Sequence, residues 1–304
     1  PIKVRNVREE IERGSGDPVR IETTYEYDDF GNITAERAFG AVNADEGPGA
    51  LNDERIVIST FANEPESWLL RFPFRVEIQD LAGNVIQRSE TFYDDETFSG
   101  ANGGEVTQGR KTMVRQWHTP DDALGFVASK RYQYDAFGNA TVLLDPLAQE
   151  DAGAIDDNAG HYRTITFDEN FAAWPIGETV HIGEGSADLL TTAEYDTGLG
   201  VVTSAADWNG NVTRFEYDPF SRLSAIFKPG DPDDYPSARY AYVEAEPFGG
   251  GVINYIETLV IDRAPDPANG IEGRACYHVG RTYTDGFGRA RLSKTEASQD
   301  PETG

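Results

Sequence analysis

Cysteine and methionine each occur once among 304 residues, and histidine four times. A single thiol, Cys276, excludes an internal disulfide framework, and its expected place is that of a small buried hydrophobe. The histidines are His118, His161, His181 and His278. None sits at i, i+4 from another with a glutamate between them, and none has zinc spacing to Cys276. Their expected role is strand or rim packing, and no metal or other cofactor is expected. Basic residues are scarce: 26 Lys and Arg stand against 53 Asp and Glu, for a net charge of −27. That field repels phosphate backbones and anionic lipid, so no nucleic acid partner is expected, and the excess charge reads as a solubility device. Long apolar runs are missing too. Stretches such as Trp68-Leu69-Leu70 are strand-sized, far short of the ~18 residues of a membrane helix, so no membrane span is expected. Residues 1–20 carry charges throughout and no apolar leader segment. Pro1 and Gly304 read as cuts in a longer polypeptide.

Motifs that carry chemistry are equally sparse. A G-x-S-x-G nucleophile elbow does not occur. Gly249-Gly250-Gly251 lacks the Lys-Ser/Thr that completes a phosphate cradle. Carboxylates are so numerous that no catalytic pair stands out, and they read as solvated loop charge. Asp207-Trp208-Asn209-Gly210-Asn211 spaces its oxygens like a calcium loop, but Val212 stands where glycine is required. The expectation is a protein that is not an enzyme and has no catalytic, cofactor or metal residues.

What the chain does have is glycine, 31 residues of it, together with 16 prolines and many aromatics, and a repeat. The repeat frame is Asp, two variable residues, Gly or Ser, then Asn or Arg. It occurs at Asp28 (with Gly31 and Asn32), Asp80 (Gly83, Asn84), Asp135 (Gly138, Asn139), Asp207 (Gly210, Asn211), Asp218 (Ser221, Arg222) and Asp285 (Gly288, Arg289). The fullest copies carry paired rings just upstream: Tyr25 and Tyr27, Tyr132 and Tyr134, Phe215 and Tyr217. Residues two apart share a strand face, so each pair points one way. The Asp closes an Asx-type turn, and the Gly sits where the turn needs positive φ. Each copy therefore reads as strand, tight turn, strand. Uneven spacing between copies argues against a propeller and for hairpins laid along one winding antiparallel sheet. Arg55–Phe61, Phe72–Ile78, Tyr240–Val243 and Ile253–Ile261 read as further strands. Residues 44–52, 149–160 and 229–236 read as surface loops. Only Val7–Arg13 has a helical look. The expected fold class is all-β, divided into a lead-in over residues 1–20, a middle region over 21–206, a repeat strip over 207–297 and a polar tail over 298–304.

The copies YEYDDFGN, YQYDAFGN and FEYDPFSR resemble the YD repeat of Rhs proteins, teneurins and the B and C components of insecticidal toxin complexes. The segment from Trp68 through Pro73 to Thr91-Phe92-Tyr93-Asp94-Asp95 and on to Gly103, Val106 and Gly109 is similar to the middle region of toxin B components. Asp207–Tyr242 is similar to the start of their shell strip. The departures are Ser221 in place of Gly, and Thr284 and Gln79 in place of the second Tyr. The resemblance implies a strip of hairpins spiralling into a hollow shell around a toxic polypeptide. The partners it implies are the rest of a longer chain, other shell components and an enclosed toxin, all in a secreted complex. The same exposed aromatics, read as a stacking surface for sugar rings, give an alternative: an extracellular glycan- or protein-binding module.

Overall fold

The computed structural model describes residues 2–11, 18–42, 54–117, 125–244 and 254–296. His118, Gly249–Gly251 and residues 44–52 and 298–304 lie outside them. The described strands are β1 (Ile2–Ile11), β2 (Pro18–Tyr27), β3 (Ile33–Val42), β4 (Arg55–Glu64), β5 (Leu69–Gln79), β6 (Val85–Tyr93), β7 (Lys111–Trp117), β8 (Phe126–Tyr134), β9 (Ala140–Leu144), β10 (Glu150–Asp151), β11 (Ala154–Ile155), β12 (Tyr162–Phe167), β13 (Pro175–His181), β14 (Leu189–Asp196), β15 (Val201–Ala206), β16 (Val212–Tyr217), β17 (Leu223–Phe227), β18 (Ala238–Val243), β19 (Tyr255–Ile261), β20 (Tyr277–Thr284) and β21 (Ala290–Thr295). Nineteen of them belong to one antiparallel sheet, and β10 and β11 pair separately. The all-β architecture expected from the repeat is the observed one. Among the described residues no helix is long and apolar enough to cross a membrane.

The helical look of Val7–Arg13 does not survive. Residues 7–11 belong to β1, which pairs with β2 from Ile2↔Tyr27 to Ile11↔Pro18, and residues 12 and 13 lie outside the described set. A short charged segment cannot sustain a helix alone, whereas a neighbouring strand satisfies its backbone groups one by one.

Two compact units are present, Pro1–Ile165 with Thr179–Leu189, and Thr166–Glu178 with Leu190–Gly304. In the first, each strand pairs with the next from β1 to β9. Strand β9 then pairs with β12, Leu144 facing Tyr162. The intervening segment leaves the sheet as the small β10–β11 hairpin, so residues 149–160 are more than a surface loop. They help to cover a core in which Phe92, Met113, Leu144 and Tyr162 come from the sheet and Phe98 and Ala148 from loops, with Ile155 of β11 packed against it.

A second cluster, Ala62, Tyr93 and Val106, lies under Phe72 and Phe74. The loop at 94–110 closes over it because Asp94 accepts the backbone N–H groups of Thr107, Gln108, Gly109 and Arg110 at 2.8–3.1 Å. Any Cβ on Gly109 would sit 2.6 Å from the Phe72 ring, and one on Gly103 would sit 2.7 Å from Phe74, so this lid fits only with glycine there.

One charged rung crosses three strands of this unit. Arg75, Glu90 and Arg115 face one another on β5, β6 and β7. The Glu90 side chain is 1% exposed and holds Arg75 at 2.8 Å and Arg115 at 2.6 Å.

In the second unit each strand from β14 to β21 pairs with its successor. Its buried residues include Phe227, Ala238, Tyr277 and Val279, with Cys276 as a fully buried free thiol.

Candidate functional site

Six aspartates open turns that share one hydrogen-bond pattern. The backbone N–H of Asp28, Asp80, Asp135, Asp207, Asp218 and Asp285 donates to the carbonyl four residues on, at 2.9–3.1 Å. The N–H three residues on returns to the Asp carbonyl at 2.9–3.2 Å. The carboxylate then accepts the N–H four residues on, from Asn32, Asn84, Asn139, Asn211, Arg222 and Arg289. Its second oxygen takes that residue's side chain, an Asn amide in four copies and an Arg Nε in the last two, at 2.7–2.9 Å. Asn and Arg are thus interchangeable at the frame's last position because each offers a side-chain donor of the right reach.

These donors hold all six carboxyls below the usual aspartate range. At Asp80 and Asp207 the Asn amide is the largest influence. At Asp28, Asp135, Asp218 and Asp285 desolvation is largest and pushes upward, but the combined donors outweigh it. Every Asp207 carboxylate contact is to an N–H donor of its own turn, which accounts for that loop without an ion. Gly31, Gly83, Gly138, Gly210 and Gly288 all have φ between 76° and 92°. Ser221 takes the same position with φ 61°, so the departure from glycine leaves the turn intact at the cost of some backbone strain.

The paired rings sit where strand alternation puts them. Tyr25 and Tyr27 approach to 6.5 Å on one face. Several tyrosine hydroxyls reach back to a carbonyl of the preceding strand in the sheet: Tyr134 to Lys111, Tyr217 to Val202, Tyr242 to Leu223 and Tyr93 to Pro73. Burial raises the phenols of Tyr134 and Tyr217, and pushes Tyr93 up to about 12. Phe215 lies half-buried on β16 opposite Ile226, and Tyr132 faces Leu143 across β8 and β9. Some repeat residues also reach beyond their own turns, as where the Asn32 amide donates to the Leu70 carbonyl at 2.6 Å and Arg222 pairs with Glu244 at 2.7 Å.

Two features of the hairpins were not read from sequence. Beyond most turns the register slips by one residue, as where Glu26 faces Ala35 but Tyr27 faces Ile33, and where Glu216 faces Ala225 but Tyr217 faces Leu223. This bulge recurs in the hairpins at Asp80, Asp135 and Asp285. Another turn opens at Asp196, whose carbonyl accepts from Gly200. Its glycine is one place late for the frame, and the Tyr195-Asp196 dipeptide was the available signal.

Each turn also lifts an apolar side chain into solvent. In the first unit Phe137 is 78% exposed, Trp68 82%, and Phe30 is exposed as well; all three sit on connections along one edge of the meander. In the second unit Phe220 is 76% and Phe287 87% exposed, with Leu199 beside them in the series, again on one edge.

A groove of about 580 Å³ opens in the first unit where β8, β9 and β12 meet the segment at 180–182. Tyr162 forms its inner wall, with its hydroxyl 2.7 Å from Asp157 and its ring stacked at 4.1 Å on the His181 imidazole. Burial, then the Asp157 contact, pushes that phenol up to about 12. His181 lies 2.8 Å from Asp188 through Nδ1 and 3.0 Å from the Thr164 hydroxyl through Nε2. A carboxylate can only accept, so for neutral imidazole Nδ1 carries the proton and Nε2 accepts from Thr164. The backbones of 158–161 and 181–184 clasp one another: His161 N donates to His181 O and Glu184 N to Asn158 O. A Cβ on Gly160, whose φ is 64°, would collide with the Ile182 backbone. Two of the four histidines therefore meet here. Sequence spacing gave no sign of it, because the contact depends on the register between the neighbouring strands β12 and β13.

No family model matches the chain, and no curated protein matches it. Among solved structures, a chain of the TcdB2-TccC3-Cdc42 crystal structure superposes with a TM-score of 0.57 at 12% identity over 94% of this chain. This chain spans 22% of the length of that one. A porin-like protein from Bacteroides uniformis aligns over 97% of both chains, but at a TM-score of 0.17, too low to carry any argument. The shared property is the fold: a long antiparallel sheet of the kind found in the TcdB2-TccC3-Cdc42 chain.

Proposed function

We propose that the chain is a wall segment of a YD-repeat, Rhs-like shell that encloses a toxic polypeptide in a secreted bacterial toxin complex. The observation that carries this reading is the fold likeness over 94% of the chain to a stretch of a much longer chain from the TcdB2-TccC3-Cdc42 structure. The sequence supports it through the six turns and the aromatic pairs upstream of them. The exposed aromatic tips support it as well. Apolar surface of this kind marks contact sites on soluble proteins, and a wall segment has neighbours to cover it.

The mechanism is enclosure and involves no reaction. Strands that pair on both sides leave few free edges, which resists proteases and aggregation. The partners are the rest of a longer polypeptide, other shell components and the enclosed chain. The Thr164–His181–Asp188 chain has the polarity of a hydrolase relay, but on this reading it is a clasp that fixes the groove.

The test is protection of the enclosed polypeptide in the full-length parent. Changing Phe137, Phe220 and Phe287 together to Ser removes only exposed rings, so the wall should still fold. The enclosed region should become protease-sensitive, at least tenfold faster than in the parent. Unchanged protection would remove the tips from the shell seams, and a parent with no protected region at all would refute enclosure.

A further inference from the structure

The connection between β19 and β20 stands outside the hydrogen-bonded ladder of the second unit. The two strands pair along their whole length, from Tyr255↔Tyr283 to Ile261↔Tyr277, and residues 262–276 between them run out into solvent, with only Cys276 buried. The base of this loop is fixed. Asp262 N and Arg263 N both donate to the Cys276 carbonyl, at 2.8 and 3.3 Å, and the Tyr277 hydroxyl donates to the Pro236 carbonyl at 3.0 Å. Beyond the base, turn bonds of the loop's own hold it, such as those from Ile271 N to the Asp266 carbonyl and from Ala275 N to the Glu272 carbonyl. Exposed turns of this kind open locally at far lower free energy than the strands of a sheet.

The returning limb of the loop reads Ile271-Glu272-Gly273-Arg274-Ala275, half-buried at Ile271 and exposed at the other four. An arginine between glycine and alanine suits an arginine-specific endopeptidase: a guanidinium for its acidic pocket, and small residues on both sides of the bond to be cut. In the closed loop that bond is withheld. Gly273–Cys276 form a 3-10 turn, whereas a peptide that docks along a protein edge is extended. The Arg274 guanidinium is engaged as well. It donates to both oxygens of Glu257 on β19, at 2.7 and 3.1 Å, and Arg281 of β20 donates to the same carboxylate at 2.7 Å. Arg274 is the largest influence on the Glu257 carboxyl, which is held down to about 2, so the pair is ionised at neutral pH. Glu257 thus acts as a latch, tying to the sheet the side chain that such a protease would read. Arg263, the other arginine of the loop, sits in the fixed base with its guanidinium 3.1 Å from Asp262.

We infer that the Arg274–Ala275 bond is a cleavage site for a trypsin-like, arginine-specific endopeptidase, guarded by the Glu257 latch. Cleavage adds one water across the amide and leaves a carboxylate on Arg274 and an amine on Ala275. Two small openings give access: the turn at Gly273–Cys276 extends, and the guanidinium exchanges the Glu257 carboxylate for that of the protease pocket. The cut chain stays together, because β20 keeps its seven residue pairs with β19, and Cys276 and Tyr277 stay buried just beyond the cut. This inference is independent of the shell reading, because it needs only the second unit's fold.

The probe is trypsin, added at low ratio to the full chain, with the cut bonds identified by mass spectrometry. Between residues 18 and 296 the Arg274–Ala275 bond should be cut first, and the cut chain should still elute as one species in size-exclusion chromatography. Glu257→Gln keeps the shape and removes the charge. It should speed that cut about fivefold, the open population rising by the worth of one half-exposed ion pair. Arg281→Gln takes the other arginine from the same carboxylate and leaves the latch closed, so it should not speed the cut; this variant separates the latch from a general loosening of the β19–β20 hairpin. Arg274→Gln should abolish the cut and leave the chain folded. A first cut at Arg263 or elsewhere in that range, fragments that separate without denaturant, or Glu257→Gln cut no faster than the parent or than Arg281→Gln would each overturn the proposal.

Discussion

Aspartate at the first turn position works through both of its oxygens. One gathers backbone N–H groups from two and four residues on, and the other takes the side chain of the last turn residue. The neighbouring Gly is needed for its φ and not for space. A Cβ at Gly138 would meet nothing closer than Arg110 at 3.8 Å, yet its φ is 92°. Gly138→Val should therefore destabilise the chain by about 1–2 kcal/mol through backbone strain alone. Ser221, at φ 61°, gives the reverse test: Ser221→Gly should be neutral or stabilise by up to about 1 kcal/mol, strain relief offsetting the glycine entropy. Denaturant unfolding of the two variants checks both, and a stabilising Gly138→Val would contradict the turn assignment. At this scale the sequence is highly legible, because a turn is fixed by residues no more than four apart. Ser221 shows the limit, since its positive φ follows from the frame around it and not from serine's own preference. The meeting of Tyr162, His181 and Asp188 was illegible for a different reason. It is set by the register of the neighbouring strands β12 and β13 and by the turn that follows β13, and a register leaves no mark in residue spacing.

Strands and hairpins were legible wherever β-branched and aromatic residues ran in alternation. β4, expected over Arg55–Phe61, runs on to Glu64, and β5, expected over Phe72–Ile78, runs from Leu69 to Gln79. β1 was missed because its Arg- and Glu-rich sequence lacks that alternation, and its strand state comes from pairing with β2. The bulges were missed because one slipped residue leaves no mark in composition. Packing between elements was also hidden, above all the rung at Glu90. Its two arginines reach it from strands on either side, and they are 40% and 29% exposed while Glu90 is 1% exposed. Glu90→Ala would leave two cations over a newly apolar spot and should cost roughly 2–3 kcal/mol, less than a fully buried pair because both arginines can turn to water. Glu90→Gln keeps the shape and one acceptor, so it should lose clearly less. Chemical denaturation of both variants checks this, and a Glu90→Ala loss under about 0.5 kcal/mol would show that the rung contributes nothing net.

For the whole molecule, the absences in the sequence carried much of the reading. One cysteine, few bases and no long apolar run narrowed the field before any motif was considered. The all-β sheet followed from the repeat, and it is the fold found in the TcdB2-TccC3-Cdc42 chain. The exposed Phe137, Phe220 and Phe287 belong to this scale, because they stay mostly in solvent even where Arg222 and Arg289 of their own turns lie over the Phe220 and Phe287 rings. The enclosure account is tested most directly by single-particle electron microscopy of the full-length parent polypeptide, purified from its source. The account predicts a closed hollow particle, with this segment in the wall, its aromatic tips buried in seams, and separate density inside. A filled or open particle in which the same segment forms a free-standing strip with solvated tips would contradict it.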